Sequence, residues 1–214
     1  MDLVVAQQAR RLLRRDYFGV LSTLSQSMPG YPYGSFVDYV TDHQGRPVML
    51  ISALAEHTRN IHHQPHVSLT VHDPGSQSEA RPRMTLMGEA KLLGPDDAHH
   101  IRARYLRQFA DAAQYLTLDF AFYRIDPRQI RYIPDFAQAS WVSPGDFLAM
   151  SSQLADTEQD VIEQIHRAGK HTLVNFDCDG CVVRRDGRLQ RLEFASPVYD
   201  ADKVLAALTQ VLST

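Results

Sequence analysis

Seven short stretches between residues 18 and 133 read as β-strands, and this run constrains the chain more than any other feature. They are Phe18–Leu24, Ser35–Val40, Val48–Ser52, Val67–His72, Met84–Leu93, Phe120–Ile125 and Gln129–Ile133. Each is rich in Val, Leu, Thr or aromatic residues and is bounded by Gly, Pro or Asp, which break strands. The clearest alternation is His66-Val67-Ser68-Leu69-Thr70-Val71-His72. Side chains in a strand point alternately to opposite faces, so Val67, Leu69 and Val71 share one buried face. Residues 2–15 place Leu3, Ala6, Ala9, Leu12 and Leu13 at three- and four-residue spacing, which predicts an amphipathic helix with its arginines facing water. A short helix near Ala55–His63 and a longer one from Pro95 to about Arg107 interrupt the barrel-like part; Pro95, Asp96 and Asp97 suit a helix's first turn.

Composition shifts at Ser143-Pro144-Gly145 and again at Ser151-Ser152, which divides the chain into a barrel over 1–150 and a smaller unit over 151–214. In the second unit a helix with the acidic start Thr157-Glu158-Gln159-Asp160 closes at Ala168-Gly169. Strands Thr172–Cys178, Cys181–Arg185 and Leu189–Phe194 follow, joined by Asp179-Gly180 and Asp186-Gly187. Asp-Gly between alternating runs is a strong hairpin signal, so they form a meander. A last helix, Ala201–Leu212, is capped by Asp200. The fold class is therefore mainly β with flanking helices, plus a small α+β C-terminal domain.

At 214 residues, 44% hydrophobic and 22% charged, the chain is globular and not disordered. No stretch nears the roughly 18 apolar residues of a membrane span, and Met1–Asp16 lacks the apolar segment of a secretory signal; a cytoplasmic protein without membrane contact is expected. Net charge −3 excludes a uniformly basic nucleic-acid binder. Lysine is rare (Lys91, Lys170, Lys203) among 22 basic residues, and arginine grips carboxylates and phosphates with a planar fork.

The segment Ser52-Ala53-Leu54-Ala55-Glu56-His57-Thr58-Arg59-Asn60 joins a strand to a helix. There hydroxyls, N–H groups and cations can converge on an anion, although an ordinary polar connection reads the same way. Arg81, Arg83 and Thr85 open the next long strand and offer further contacts. His57, His62, His63, His66, His72, His99 and His100 invite a metal or haem-ligand reading. Helical neighbours point about 100° apart, so the pairs His62-His63 and His99-His100 fit a solvated face better. Cys178 and Cys181, with His166 and His171, have zinc-ligand types, but two small apolar residues flanking a tight turn is the simpler account, and no metal site is assigned. Gly-x-Gly-x-x-Gly, phosphate-loop, Gly-x-Ser-x-Gly and His-Glu-x-x-His motifs do not occur. Trp141, the sole tryptophan, reads as core, or as the wall of a ligand pocket.

The order of these elements resembles the FMN-binding split β-barrel superfamily of pyridoxamine-phosphate oxidase, in particular its haem-utilisation, HugZ-like branch. The resemblance rests on Phe18-Gly19-Val20-Leu21-Ser22-Thr23, Gly30-Tyr31-Pro32-Tyr33-Gly34-Ser35, Ser52–Ile61 and Arg83–Ala90, with Arg104-Tyr105-Leu106 and Asp119–Tyr123 extending it. Asp135–Trp141 is similar to the branch's Gly-Phe-Gly-x-Ala stretch with both glycines replaced. The resemblance implies a homodimer with two ligand sites at the interface, and FMN held by a strand-end hydroxyl and a following Arg-Lys pair. Ser52 matches the hydroxyl; His57 and Thr58 stand where Arg-Lys would be, with Arg59 adjacent. On this reading Ser52, His57, Thr58 and Arg59 bind the phosphate, Arg83 and Thr85 assist, and Trp141 flanks the ring of a flavin-dependent oxidoreductase. No catalytic acid or base is identified. The branch carries the alternative of haem binding or breakdown, with arginines on the propionates and a histidine from the C-terminal unit or the 57–72 region on iron. In the C-terminal helix His166 and His171 keep the branch's histidine spacing, while Ala168 and Lys170 replace its polar pair. A barrel that serves as a cofactor-free binding dimer is a third reading.

Overall fold

The computed structural model describes residues 3–73, 75, 81–135, 138–149, 153–169 and 172–213. The barrel comprises α1 (Leu3–Arg15), β1 (Phe18–Leu24), β2 (Pro32–Asp38), β3 (Val40–Thr41), β4 (Pro47–Ser52), α2 (Glu56–His63), β5 (His66–His72), β6 (Arg83–Leu92), α3 (Pro95–Gln108), a 3₁₀ helix (Ala110–Thr117), β7 (Phe120–Asp135), β8 (Gln138–Val142) and α4 (Pro144–Phe147). The C-terminal part is α5 (Gln153–Arg167), β9 (Thr172–Asp177), β10 (Gly180–Arg185), β11 (Arg188–Glu193) and α6 (Ala201–Leu212).

One long strand organises the barrel. The two stretches expected at Phe120–Ile125 and Gln129–Ile133 form a single 16-residue strand, β7, which pairs with β6 along its length, with β4 over its first part and with β8 over its last. The sheet order is β2-β1-β5-β6-β7-β4-β3, with β8 branching from β7. Pro127 lies within this strand at a register shift opposite Gly88, the kind of irregularity where a sheet tolerates proline. A Cβ on Gly88 would lie 2.3 Å from the Asp126 carbonyl, so only glycine lets the strands approach there.

The alternation in β5 buries Val67, Leu69 and Val71 as expected, and Leu21, Met84, Leu86 and Ile130 continue the same inner face. Ala6, Ala9, Leu12 and Leu13 of α1 pack on this core. Each large apolar side chain withdrawn from water contributes about 1.5–3 kcal/mol. The strand expected at Ser35–Val40 lies instead at Pro32–Asp38 with a separate β3, because Tyr39 turns fully inward and donates its hydroxyl to the Leu13 carbonyl at 2.8 Å.

The arginines of α1 do not all face water. Arg10 and Arg14 are buried, four residues apart on one face. Arg10 donates to Asp179 at 2.7 Å and to the Phe147 carbonyl at 2.9 Å. Arg14 pairs with Asp179, and with Asp177 at 3.1 Å. Asp177 also takes both branches of Arg191 at 2.7 Å, and on the far side Glu158 of α5 is held by Arg104, and by Arg107 at 2.9 Å. Hydrophobic spacing could not reveal this, because the carboxylates that accept Arg10 and Arg14 lie over 160 residues away in the chain.

The C-terminal sheet, ordered β11-β10-β9, buries Leu173, Phe176, Cys178, Cys181 and Val183 against Leu154 and Ile162 of α5 and Val204 and Leu208 of α6. Its core is separate from the barrel's, which supports our proposal of two domains meeting near residue 150; Ser151-Ser152 lies outside the described residues. The cysteines are apolar core members, and burial pushes the Cys181 thiol up to about 12. The first hairpin turns at Cys178-Asp179, one residue earlier than expected, with Gly180 already paired to Asp177. Gly180 is needed because a Cβ there would lie 2.1 Å from the Leu192 carbonyl. The second turn, Asp186-Gly187, has φ of 50° and 76°, the left-handed pair that favours Asp-Gly. Asp200 caps α6 by accepting the Asp202 N–H at 2.9 Å.

Two outcomes follow from the buried ions. Arg14→Met removes the cation shared by Asp177 and Asp179, leaving, among the described residues, only Arg191 as a cation at hydrogen-bond distance from Asp177 and only Arg10 from Asp179, and should lower unfolding free energy by about 3 kcal/mol, read by urea denaturation. Burial pushes the Glu158 carboxyl up, but Arg104, His43 and Arg107 pull it down further, to about 2, and Asp177 is lowered in the same way by Arg14 and Arg191. Their contribution is complete above the ordinary carboxylate range of ~4–4.5 and falls as pH drops below it, with Glu158's lost by about 2. Thermal melts should therefore show Tm dropping steeply across that window, and less steeply in Glu158→Gln.

Candidate functional site

Strand β4 ends at Ser52, and the turn Ala53-Leu54-Ala55 leads into α2. The Ser52 hydroxyl donates to Asp119 Oδ2 at 2.6 Å, and the Leu54 N–H points at both Ser52 Oγ (3.1 Å) and Asp119 Oδ2 (3.3 Å). These donors hold the Asp119 carboxyl below its usual range, Ser52 most of all. The chain's own carboxylate thus occupies the anion cradle expected at this strand end. Asp119 was not among the expected site residues. It reaches Ser52 only because Phe120 pairs with Ser52 across β4 and β7.

Of His57, Thr58 and Arg59, only His57 lines the adjoining cleft. Its Nδ1 lies 3.1 Å from Ser35 Oγ, its Nε2 is buried without a partner, and burial lowers its pKa. Thr58 is fully buried with its hydroxyl unpaired. Arg59 is exposed, 3.7 Å from Glu56. The cleft has a volume of about 800 Å³, within the range of small-molecule and cofactor sites. Its walls include Phe36, Tyr105, Phe109, Tyr115 and Phe120, and Arg184 reaches in from β10. Tyr115 and Phe120 stack at 4.8 Å, and Tyr105 lies 4.9 Å from Phe109. The 3₁₀ helix that supplies much of this wall has no apolar periodicity to announce it.

Arg83, Thr85 and Trp141 lie elsewhere. Pairing sets Thr70, Thr85, Arg131 and Trp141 side by side across β5, β6, β7 and β8. Thr85 and Thr70 hydroxyls are 3.1 Å apart, and the Arg131 guanidinium stands 4.9 Å above the Trp141 ring. Arg83, near the start of the same strand, has its Nη1 3.5 Å from the Arg81 carbonyl. Trp141 is not core: it is 53% exposed, because β8 pairs only with β7 and directs this side chain away from the inner face. Ser52 pairs with Phe120 and Trp141 with Arg131, separated by roughly 35 Å of extended strand at about 3.3 Å per residue. One chain therefore does not bring the two groups together.

The remaining histidines are engaged or on the surface. His62 Nε2 meets the Tyr123 hydroxyl at 2.6 Å and His166 Nε2 meets the Leu173 carbonyl at 2.8 Å. His63, His66, His72, His99 and His100 are exposed, and Lys170 and His171 lie outside the described residues. Among the described residues the one group with metal-ligand geometry is Asp177, Cys178 and Asp179, and arginines already take both carboxylates.

A branching eight-stranded sheet with flanking helices and a cleft at the end of β4 has the architecture of a split β-barrel. Residues 3–149 match the family model described as CREG, beta-barrel, and the chain belongs to that family. Over 153 residues it is 35% identical to "Non-canonical heme oxygenase HOZ, chloroplastic" of Arabidopsis thaliana, covering 71% of this chain and 47% of that protein. This chain thus spans about half the length of that relative. It is 29% identical over 126 residues to "Heme oxygenase HutZ" of Vibrio cholerae, covering 56% of this chain and 71% of the relative. The crystal structure of Atu2129 from Agrobacterium tumefaciens, a protein of unknown function, superimposes with a TM-score of 0.78 at 24% identity over 98% of this chain and 95% of that one, and so shares the fold. Among the described residues no helix is long and apolar enough to cross a membrane.

Asp119 is a resident competitor for any phosphate at Ser52. Asp119→Ala should bind FMN more tightly than the wild type, most clearly at low ionic strength, as read by flavin fluorescence quenching.

Proposed function

We propose that this protein binds haem in the cleft beside His57 and acts in haem breakdown or handling. The observation that carries this reading is His57, which lines a cleft walled by aromatic rings and whose Nε2 is buried without a partner. A buried polar atom without a partner is costly, and a ligand that engages it recovers that cost. Burial disfavours the charged imidazole, and a neutral imidazole is the form that ligates iron. The Ser35 hydroxyl at Nδ1 fixes the ring plane, as outer partners of metal-bound histidines do. Stacked Tyr115 and Phe120 offer apolar faces to a flat macrocycle and keep water from it. Haem, when bound, supplies iron chemistry with dioxygen; the chain supplies position, dryness and charge.

The names of the two relatives, both heme oxygenases, support haem over FMN, and so does the Asp119 carboxylate in the phosphate cradle. A homodimer fits the same reading. Phe36 (71% exposed), on the cleft wall, and Leu54 (70% exposed), in the turn after Ser52, are apolar surface that a second copy would cover, bringing the Thr85, Arg131 and Trp141 row toward the cleft. We place the protein in the cytoplasm, in keeping with two free, buried cysteines.

Haemin titration followed by desalting should leave a Soret band and little flavin in a parallel FMN sample. Sedimentation should give twice 24.2 kDa. His57→Ala should shift the Soret band and weaken haemin binding at least about tenfold. Retained flavin without haem would overturn the reading, and loss of both chromophores would favour a cofactor-free dimer.

A further inference from the structure

The cleft's cations are not equivalent. Arg107 is spent: it donates to the Val174 carbonyl at 2.8 Å and to Asn175 Oδ1 at 3.2 Å, and lies 2.9 Å from Glu158. Arg184 is not. It stands on β10, paired with Thr172 of β9 and Leu189 of β11, and is partly buried against the aromatic wall. Its bonds leave from one nitrogen, Nη2, to the carbonyls of Arg107 (3.3 Å) and Gln108 (3.0 Å) at the end of α3. Those carbonyls steady the side chain and offer partial negative charge, but among the described residues no carboxylate pairs with it. The acidic groups of the cleft, Asp38 and Asp111, form no ion pair with it either. A half-desolvated guanidinium with most of its fork unspent calls for an anion, and a carboxylate matches its planar geometry.

We propose that Arg184 is a specificity-determining residue through which the C-terminal sheet reads the cleft's ligand, by pairing with a carboxylate carried on a flat aromatic ring system. The inference rests on the haem reading and deepens it. A bound macrocycle would turn its acidic edge toward β10, because Asp38 and Asp111 would repel carboxylates from the rest of the wall. The C-terminal unit thereby contributes a ligand contact although its own core is elsewhere, and the C-terminus of α3 is the shared support.

The experiment compares haemin with its dimethyl ester, which keeps ring and iron but has no carboxylate anion, on wild type, Arg184→Lys and Arg184→Met. Wild type should prefer haemin to the ester. Arg184→Met should weaken haemin roughly 10–100-fold with the ester unchanged, which abolishes the preference, and Arg184→Lys should restore part of it. Circular dichroism and Tm of the unliganded variants report any loss of the α3 contact, which would weaken acid and ester alike. Equal weakening of both, or no change in either, overturns the role of Arg184 while leaving haem binding intact. Wild type that binds neither ligand overturns the haem reading and this inference with it.

Discussion

The buried pairing of arginines with Asp177, Asp179 and Glu158 is the constraint on which the rest of the structure depends. Arg10 and Arg14 come from α1, Arg104 and Arg107 from α3, and Arg191 from β11, so three parts of the chain converge on one C-terminal hairpin and one helix. Burying a charge is expensive unless its partners are in place, which makes the arrangement all-or-none. With it formed, α3 is locked against both sheets, and the end of α3 is what supports the cleft and Arg184.

The second organising element is β7. Its length lets one end pair with β4, where Ser52 and Asp119 meet, and the other with β8, where Arg131 covers Trp141. The strand therefore separates two groups of residues that look like one site when read in sequence. The homodimer we propose would bring them together, with the exposed Phe36 and Leu54 as apolar surface for it to cover.

The cleft's chemistry turns on small substitutions within a common barrel. The Asp119 carboxylate accepts the Ser52 hydroxyl where the resemblance would place a phosphate, and His57 lines the adjoining cleft in place of the expected cation. Both changes move the site away from anion binding at the strand end. In the function we propose, the site takes a flat, metal-bearing ligand held by rings, one neutral nitrogen and a cation at the far wall.

Local pattern determined much of this. The alternation of residues 66–72, the Asp186-Gly187 turn, the Asp200 cap and the helical stripes of α1 and α6 depend on neighbours within a few residues, where backbone geometry and solvent exposure decide the outcome. The same reasoning placed Ser52 and His57 at one strand-to-helix junction. What it missed depends on partners far along the chain. Arg10 and Arg14 turn inward only because Asp177 and Asp179 are folded against them, β7 runs through Pro127 only because Gly88 lies opposite, and Trp141 is exposed only because β8 has a single neighbour. Asp119 reaches Ser52 by strand register and Arg184 reaches the cleft by the docking of a second sheet. Sequence by itself determined most of the elements and their order, which are set by short-range sterics and hydrophobic periodicity, but not the joining of β7 or the 3₁₀ helix and β8 beside it. Tertiary structure alone decided which charges are buried and which side chains share a cleft, because those energies exist only once distant segments are in contact.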